Sequence, residues 1–304
     1  MSSPAVSICI PAYNASALLG ETLETVRRQS HPQWELVVVE DGSADGTQQL
    51  VEAFARTVSQ PVRYLRHEKN RGLTTTRNTG IAAAAADWIA ILDADDLWET
   101  NHLETLMFRA SAGDVELVHA GSILFEHGTG RHLEVRAPSA ATQTEFPISL
   151  FCGGYIIQPS SVLLHRRLWE RAGKFDPTFS HCEDREMWLR CARAGGKFVY
   201  TGHNTCLYRK HAAAMSKAAL AMAVGAARLL EKHLDWTEIP RDLRKRKAAE
   251  AWVSAGRLAL RTRPLEARQH FQRSLAIRVN TTAATFWLAA WILNLVPFRS
   301  RGRP

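Results

Sequence analysis

Two hydrophobic periods alternate along residues 5–92. Four short runs are apolar and rich in β-branched or aromatic residues, as buried strands are: AVSICIP, WELVVVE, VRYLRHE and WIAIL. The segments between them, such as residues 17–29 and 47–57, have the apolar spacing of helices. Because strands alternate with helices, this part of the chain predicts an α/β fold with a mostly parallel sheet flanked by helices.

Polar and charged residues follow each predicted strand. Open parallel sheets bind ligands at the carboxyl ends of their strands, so these positions predict where a site lies. They are residues 11–14, 40–43, 70–72 and 93–96. Three of the four segments carry acids or bases, a concentration of charge that the fold itself does not require.

The rest of the chain divides near residue 214. Helices are predicted over 97–110 and 183–194, and strands over 115–125 and 161–165. From residue 215 onward the pattern is helical. We therefore expect an α/β domain over 1–214, followed by an all-helical extension over 215–304.

Charge is distributed unevenly between these two parts. The 304 residues carry 38 Lys and Arg against 30 Asp and Glu, a net charge of +8. Residues 1–210 hold 21 basic and 24 acidic side chains, a net −3, whereas residues 211–304 hold 17 and 6, a net +11. A basic chain usually suggests nucleic acid or an anionic membrane as partner, but here the excess lies in the extension. We expect no nucleic-acid partner.

Cysteine spacing and the first residues bear on the compartment. The five cysteines are widely spaced without a C-x-x-C pair, which indicates neither a disulfide framework nor a zinc site. Residues 1–10 lack the cation of a secretory signal, and no stretch reaches the roughly 18–20 apolar residues of a spanning helix. These features predict a cytoplasmic protein.

Residues 93–96, Asp-Ala-Asp-Asp, place three carboxylates at a strand end. Alternate residues face the same side, so Asp93 and Asp95 can share a ligand, one holding a ribose hydroxyl and the other a divalent ion. Sites for Mg²⁺ or Mn²⁺ usually take one or two carboxylates and complete the shell with phosphate and water. The alternative is that Asp95 or Asp96 caps the next helix, which explains one aspartate but not three.

Asp41 and two arginines are further candidates for ligand contacts. Turn chemistry explains Gly42 but leaves the Asp41 carboxylate free to accept hydrogen bonds from a nucleobase. Arg71 and Arg77 are the cations nearest in sequence to the acidic strand ends. Either one of them neutralises a nucleotide phosphate or they pair with the aspartates, and both alternatives stay open.

A second acidic cluster, residues 183–186, opens the helix predicted over 183–194. Acids in the first turn of a helix are favoured by its dipole, which would explain them without any function. Alternatively, one carboxylate is a general base that accepts a proton from an attacking hydroxyl. The spacing alone does not choose between these interpretations.

Six blocks of this sequence resemble, in order and spacing, the family 2 glycosyltransferases of GT-A fold, of the bacterial polysaccharide type. The blocks are residues 7–14 (SICIPAYN), 36–43 (LVVVEDGS), 70–72 (NRG), 77–80 (RNTG), 92–96 (LDADD) and 182–184 (CED). The resemblance implies inverting transfer of a sugar from a nucleotide diphosphate sugar, most often a UDP-sugar, with Mg²⁺ or Mn²⁺. It also implies a nucleotide-sugar half over about 1–98 and an acceptor half over about 99–214.

The resemblance assigns roles to single residues. The donor-binding residues would be Pro11, Ala12, Tyr13, Asn14, Glu40, Asp41, Arg71, Arg77, Asp93, Ala94 and Asp95. Asp95 would bind the metal, with Asp93, which would also hold the ribose, and His211 as further metal candidates. Asp184 would be the catalytic base, supported by Glu183. Residues 208–211 with Ser216 are similar to the YRxH segment that closes over the donor in such enzymes.

Two other functions share parts of this pattern. A sugar-phosphate nucleotidyltransferase would have a Gly-rich, Arg-containing loop after its first strand, where this chain has Pro-Ala-Tyr-Asn. A GT-A-fold nucleotide- or carbohydrate-binding protein without turnover is less compatible with the acids kept at 93–96 and 183–186. We expect an enzyme whose acceptor is a saccharide or a lipid-linked saccharide.

The helical extension has two open interpretations. Residues typical of a membrane interface occur there: the basic run 241–247, Trp287, Trp291, Arg299, Arg301 and Arg303. One interpretation is peripheral contact of 241–304 with an anionic membrane, on its inner face. The other is that the aromatic side chains pack helices onto each other or onto the α/β domain.

Overall fold

The computed structural model describes residues 4–211 and 218–295. The chain divides into two compact units, one within 1–214 and the other within 215–304. The first unit contains the strands, and the second is helical throughout its described residues.

Four parallel strands form the centre of the first unit, as the alternating pattern predicts. They are β1 (Val6–Ala12), β2 (Trp34–Glu40), β3 (Val62–Arg66) and β4 (Trp88–Ile91), in the spatial order β3-β2-β1-β4. β1 and β2 are buried along their whole length, which is why both read as continuous apolar runs. All four strands end at the same edge of the sheet, so the polar residues that follow them lie along one rim.

Three helices connect these strands: α1 (Ser16–Arg27), α2 (Thr47–Ala55) and α3 (Leu73–Ala83). The sequence pattern sets no bounds for α3, because its threonines and Gly80 have low helix propensity. Packing overrides that propensity: a Cβ at Gly80 would lie 3.4 Å from Val39 and 3.5 Å from Cys9. The glycine therefore lets α3 lie close against the sheet.

Beyond β4 the sheet is mixed rather than parallel. The added strands are β5 (Leu97–Trp98), β6 (Leu117–Glu126), β7 (His132–Arg136), β8 (Val162–His165) and β9 (Phe198–Lys210). β8 lies antiparallel between β4 and β6, β9 runs parallel to β6, and β5 and β7 are antiparallel additions. The long β9 was not predicted, because Gly202, His203 and Asn204 interrupt its apolar pattern.

The helices of this half pack around the mixed part of the sheet. They are α4 (His102–Ala110), α5 (Ala140–Thr144), α6 (Ile148–Cys152), α7 (Arg166–Ala172) and α8 (Glu183–Arg193), with a 3₁₀ turn over Pro159–Ser161. The prediction of a helix over 97–110 was wrong at its start, because Leu97 and Trp98 pair with β9 and the helix begins only at His102. The helix predicted over 183–194 is confirmed as α8.

The second unit consists of α9 (Ala219–Lys232), α10 (Arg241–Ala259), α11 (Pro264–Ile277) and α12 (Thr281–Leu295). Its core is built around Phe271, and a Cβ at Gly256 would lie 2.5 Å from that ring, so α10 and α11 approach closely at this glycine. Trp287 packs against the same cluster, which is the packing role that the sequence left open for it. Among the helices that the structure describes, none has the length and apolar character needed to cross a bilayer.

The remaining residues of the membrane interpretation lie partly in α10 and partly outside the described residues. Arg299, Arg301 and Arg303 lie outside the described residues, as does the side chain of Trp291. The basic run 241–247 forms the first two turns of α10. Contact with a membrane stays a prediction.

Candidate functional site

The carboxylates that follow β4 have separate side-chain partners. Oδ1 of Asp93 accepts a hydrogen bond from Nη2 of Arg77 at 2.7 Å. Oδ2 of Asp95 lies 2.9 Å from Nε2 of His211, at the end of β9. The side chain of Asp95 is still 38% exposed, so this carboxylate remains accessible to a ligand. The structure thus brings Asp95 and His211 into contact, whereas Asp93 is paired with Arg77.

Asp96 is a structural residue rather than a helix cap. It is 1% exposed, with one carboxylate oxygen accepting from the Ser160 hydroxyl at 2.6 Å and the other from the backbone N–H of Arg209 at 2.9 Å. The same Ser160 hydroxyl accepts from the backbone N–H of Asp93 at 3.0 Å. Capping does not explain these acids, since α4 has Asn101 at its N-cap and no side-chain cap bond.

Crowding of the acids raises the pKa of two of them, Asp95 and Asp96. Burial raises the pKa of Asp95, and the neighbouring Asp93 raises it further, while His211 opposes both effects. Burial together with Asp95 and Asp93 also raises the pKa of Asp96 well above its usual range. Mutual repulsion of this kind makes the site receptive to a cation.

Arg77 joins the two acidic clusters. Its side chain is 2% exposed, and Nη1 donates to Oε1 of Glu183 at 2.8 Å while Nη2 donates to Asp93. Its guanidinium carbon lies 5.6 Å from the ring centroid of Phe175. Burial alone would lower the pKa of Arg77, but Asp93 and Glu183 hold it above the ordinary value. Of the two alternatives left by the sequence, the structure shows the pairing with acids.

Asn78, the next residue of α3, fixes the segment that leads into α8. Its side-chain amide donates to the carbonyl of Phe175 at 2.8 Å and accepts from the N–H of Phe175 at 2.9 Å. Together with the Arg77–Glu183 pair, this holds the start of α8 against α3. The site at the end of β4 and the start of α8 therefore form one assembly.

Asp184 lies in the first turn of α8, beside the buried Glu183. Burial and the charge of Glu183 raise the pKa of Asp184 to about 7, against the lowering effects of its hydrogen bond from the N–H of Arg185 and of the Arg77 charge. The residue before the helix, Cys182, adopts a left-handed backbone with φ +59°, an uncommon conformation for a residue other than glycine. A carboxylate that titrates near neutrality is suited to accept a proton in a reaction.

Asp41 organises the loop that follows β3. One of its oxygens accepts from the N–H of Arg71 at 2.9 Å and lies 2.7 Å from Nδ1 of His67, and the other accepts from the N–H of Gly72 at 2.8 Å. Burial alone would raise the pKa of Asp41, but these bonds lower it below its ordinary value. The carboxylate is thus held ionised, and its loop role is one that the sequence did not reveal.

The last residues of β1 and the two that follow it differ in their exposure. Pro11 and Ala12 are buried in the strand, whereas the Tyr13 side chain is 53% exposed and Asn14 is exposed with φ +49°. An exposed aromatic ring at this rim offers a stacking surface for a planar group.

Three other predicted donor-binding residues have different surroundings. Glu40 is 1% exposed, and its carboxylate accepts hydrogen bonds from the hydroxyls of Ser43 and Tyr64, so the structure does not bring it into the open site. Arg71 is exposed. Ala94 contributes its backbone carbonyl to a hydrogen bond, which it accepts from the Thr22 hydroxyl at 2.9 Å. Ser216 lies outside the described residues.

Sequence reasoning assigned no roles to Ser160, Arg209 and His67. Ser160 and Arg209 fix Asp96, and the Arg209 side chain also donates to the carbonyl of Asp95 at 2.6 Å. Their partners lie 64, 113 and 114 positions away, so no local pattern could have indicated these contacts. Arg209 falls in a segment that the sequence did single out, residues 208–211.

The donor set at this rim is compatible with a divalent metal. Within residues 4–211 and 218–295, no group of three or more His, Cys, Asp or Glu side chains is arranged so that it could hold a metal ion. The accessible Asp95 oxygen and the His211 nitrogen offer two ligands within 2.9 Å of each other. Carboxylate oxygen and imidazole nitrogen suit Mn²⁺, and a partial protein shell leaves positions for phosphate and water.

Comparisons with known proteins agree on one family. The family model described as "Glycosyl transferase family 2" matches residues 7–168. The putative teichuronic acid biosynthesis glycosyltransferase TuaG of Bacillus subtilis is 29% identical over 206 residues, covering 67% of this chain and 77% of TuaG. The Escherichia coli UDP-Glc:alpha-D-GlcNAc-diphosphoundecaprenol beta-1,3-glucosyltransferase WfgD is 31% identical over 191 residues, covering 60% of this chain and 68% of WfgD.

Solved structures share the fold at low sequence identity. S. aureus TarS 1-349 in complex with UDP-GlcNAc superposes with a TM-score of 0.72 at 14% identity, covering 94% of this chain and 89% of that one. The mannosyltransferase PcManGT from Pyrobaculum calidifontis, in complex with GDP-Man and Mn²⁺, gives a TM-score of 0.63 at 19% identity, covering 97% and 88%. The expected GT-A fold with a helical C-terminal region is confirmed.

Proposed function

The chain belongs to glycosyl transferase family 2 and is a glycosyltransferase, and we propose that it transfers a sugar, with inversion, from a nucleotide diphosphate sugar to a hydroxyl of a saccharide or lipid-linked saccharide. The observation that carries this proposal is the Arg77 bridge, which joins Asp93 at the predicted donor side to Glu183, the neighbour of the predicted base. The bridge supports the proposal because it holds the residue proposed for donor binding to the neighbour of the proposed base.

The donor is a UDP-sugar in this proposal. WfgD is named for UDP-Glc, and TarS has been solved with UDP-GlcNAc, while PcManGT binds GDP-Man. Tyr13 stacks on the base, Asp41 accepts from the base and orders the backbone of Arg71, and Asp93 accepts from the ribose. The ionised state of Asp41 and the exposure of Tyr13 support these roles.

A divalent ion, Mg²⁺ or Mn²⁺, would be held by Asp95 and His211. When bound, it would neutralise the negative charge of the leaving diphosphate. Asp93 is not assigned as a ligand, because one of its oxygens is engaged with Arg77. The carbonyl of Asp95 is fixed by the Arg209 side chain, so the backbone that carries the ligand is restrained.

Asp184 is the general base. The acceptor hydroxyl gives its proton to the Asp184 carboxylate as its oxygen forms a bond to the anomeric carbon. The bond from that carbon to the diphosphate oxygen breaks on the opposite face, which inverts the configuration without a covalent enzyme intermediate. Glu183 remains paired with Arg77, so it supports Asp184 by position and by raising its pKa.

Substituting the base tests the proposal. Asp184→Asn should abolish UDP release from a UDP-sugar in the presence of acceptor but keep binding of the donor, because the amide accepts no proton. Asp87→Asn, at an exposed aspartate, is the matched control and should keep both properties. Appreciable turnover by Asp184→Asn would contradict the role of Asp184.

A donor screen tests the proposal as a whole. Wild-type protein is incubated with UDP-, GDP- and dTDP-sugars and saccharide acceptors, and nucleotide release and thermal shift are measured. We expect the largest response to a UDP-sugar. If no nucleotide sugar produced release or stabilisation, the proposed donor class would be wrong.

Two roles are proposed for the second unit. One is contact with the inner face of the membrane, and the other is packing of its helices through their aromatic side chains. Its net charge supports attraction to anionic lipid, whereas the packed Trp287 supports the other interpretation. Flotation of the full-length protein with anionic and with neutral liposomes distinguishes them. Equal recovery with both kinds of vesicle would reject an electrostatic contact.

A further inference from the structure

Arg185 differs from the other buried or partly buried arginines around the site. Arg77 pairs with Asp93 and Glu183, Arg190 pairs with Glu186, and Arg209 pairs with Glu21. Within the described residues, Arg185 forms no ion pair, and its side chain donates a single hydrogen bond, from Nη2 to the carbonyl of Phe151 at 2.6 Å. Its Nε is buried without a hydrogen-bond partner. A guanidinium has five N–H donors, so most of this group's capacity is unused.

The loop after α6 is shaped to accommodate this guanidinium. Gly153 has φ +83°, and a Cβ at that position would lie 3.1 Å from Nη2 of Arg185 and 3.3 Å from its Cζ. The left-handed backbone therefore favours glycine, and a side chain at this position would crowd the guanidinium. The loop holds the cation against its backbone without offering it a carboxylate.

The position of Arg185 relates it to the acceptor. It directly follows Asp184 in the first turn of α8, and the loop beside it lies in the half of the domain where the acceptor is expected to bind. Burial lowers the pKa of Arg185 below its ordinary value, although Cys182 and Asp184 act in the opposite direction. A cation that has lost part of its hydration without gaining a counter-ion favours an anion that reaches it.

We infer that Arg185 binds an oxyanion of the acceptor, a phosphate or a carboxylate, close to the hydroxyl that Asp184 deprotonates. This inference rests on the proposed function and narrows its acceptor to an anionic saccharide or to one linked through a phosphate. The guanidinium presents parallel donors that match both groups. Arg185 thereby determines acceptor specificity, whereas the donor site is independent of it.

The experiment compares acceptors that differ in charge. UDP release is measured with N-acetylglucosamine presented as its octyl glycoside, which is neutral, and as its octyl diphosphate ester, together with octyl glucoside and octyl glucuronide as the carboxylate pair. Arg185→Gln should raise KM for an anionic acceptor roughly ten- to hundredfold, the range for a hydrogen bond to a charged group. The KM for the neutral acceptor of each pair and the KM for the donor should change less than about twofold. Comparing the diphosphate pair with the carboxylate pair shows whether Arg185 recognises a phosphate or a carboxylate.

Two further variants separate binding from folding. Arg185→Lys keeps the charge but loses the paired donors, so we expect it to recover part of the affinity. Arg193→Gln, at an exposed arginine at the other end of α8, should behave as wild type with every acceptor. Thermal unfolding of each variant checks that the fold is kept, and if Arg185→Gln does not fold, the comparison of Arg185→Lys with wild type carries the test.

The outcomes distinguish the inference from the proposal beneath it. If wild type releases UDP with none of the acceptors while donor screens are also negative, the proposed function fails irrespective of Arg185. If wild type is active but Arg185→Gln affects neutral and anionic acceptors equally, the inference is overturned. A change in donor KM with acceptor KM unchanged would assign the guanidinium to the donor diphosphate and would likewise overturn it.

Discussion

Replacing Arg77 removes the cation that neutralises two carboxylates at once. In Arg77→Leu, Asp93 would lose a hydrogen bond of 2.7 Å and Glu183 one of 2.8 Å, while the leucine retains apolar contact with Phe175. The Glu183 side chain is only 8% exposed, so water cannot replace the lost partner fully. Breaking a buried pair by removing one member costs about 3–5 kcal/mol, because an uncompensated charge stays behind.

Urea unfolding followed by circular dichroism measures this cost. We expect Arg77→Leu to reduce the free energy of unfolding by about 3–5 kcal/mol. Arg27→Leu is the control, since the Arg27–Glu24 pair lies on the surface of α1, where solvent screens it, and its loss should have little effect. The double variant Arg77→Leu/Glu183→Gln should recover part of the loss, because one of the stranded charges is removed.

The result that refutes this reasoning is specific. If Arg77→Leu unfolded with the same free energy as the Arg27→Leu control, the bridge between the two acidic clusters would not stabilise the domain. If the double variant were less stable than Arg77→Leu, the stranded Glu183 charge would not be the cause of the loss.

Two predictions concern the chemistry of the site. Burial and Glu183 raise the pKa of Asp184 to about 7, and the base must be ionised to accept a proton. We therefore expect kcat/KM to fall about tenfold per pH unit below that pKa and to level off above it. A flat profile between about pH 5.5 and 8.5 would contradict the assignment of Asp184 as the base. Asp95→Ala should abolish the Mn²⁺ dependence of UDP binding in calorimetry, while the control Asp242→Ala, at an exposed acid of α10, should keep it; unchanged affinity in Asp95→Ala would show that Asp95 is not a ligand.

The central strands could be predicted because burial dictates their composition. β1 and β2 are covered on both faces, so nearly every position must be apolar, and such runs are visible in a single sequence. The bounds of α3 could not be predicted because its threonines and Gly80 have low helix propensity, and the close packing of Gly80 against the sheet is visible only in the fold. β9 was missed because its register against β6 shifts near Gly121 and Asn204, which breaks the alternation that identifies a strand.

The site was predicted as a set of acids but not as a set of contacts. Asp93, Asp95 and Asp96 are chemically equivalent in sequence, and only the fold separates a partly exposed Asp95 from a buried Asp96. The partners of Arg77 lie 16 and 106 positions away, so the choice between an acid and a phosphate as its partner could not be made from spacing. Long-range pairing of this kind depends on how the strands are ordered.

The Ser160 hydroxyl has a consequence for redesigning the enzyme by segment exchange. It donates to Asp96 and accepts from the N–H of Asp93, while the Ser160 carbonyl accepts from Nε1 of Trp98. Suppose that the segment around Ser160 were replaced by that of a relative in order to change the acceptor. The exchange would then also replace the residue that holds residues 93–96 in place. Chimeras that exchange this segment should keep Ser160 or exchange Asp96 together with it. Otherwise a change intended to alter the acceptor would also weaken binding of the nucleotide sugar.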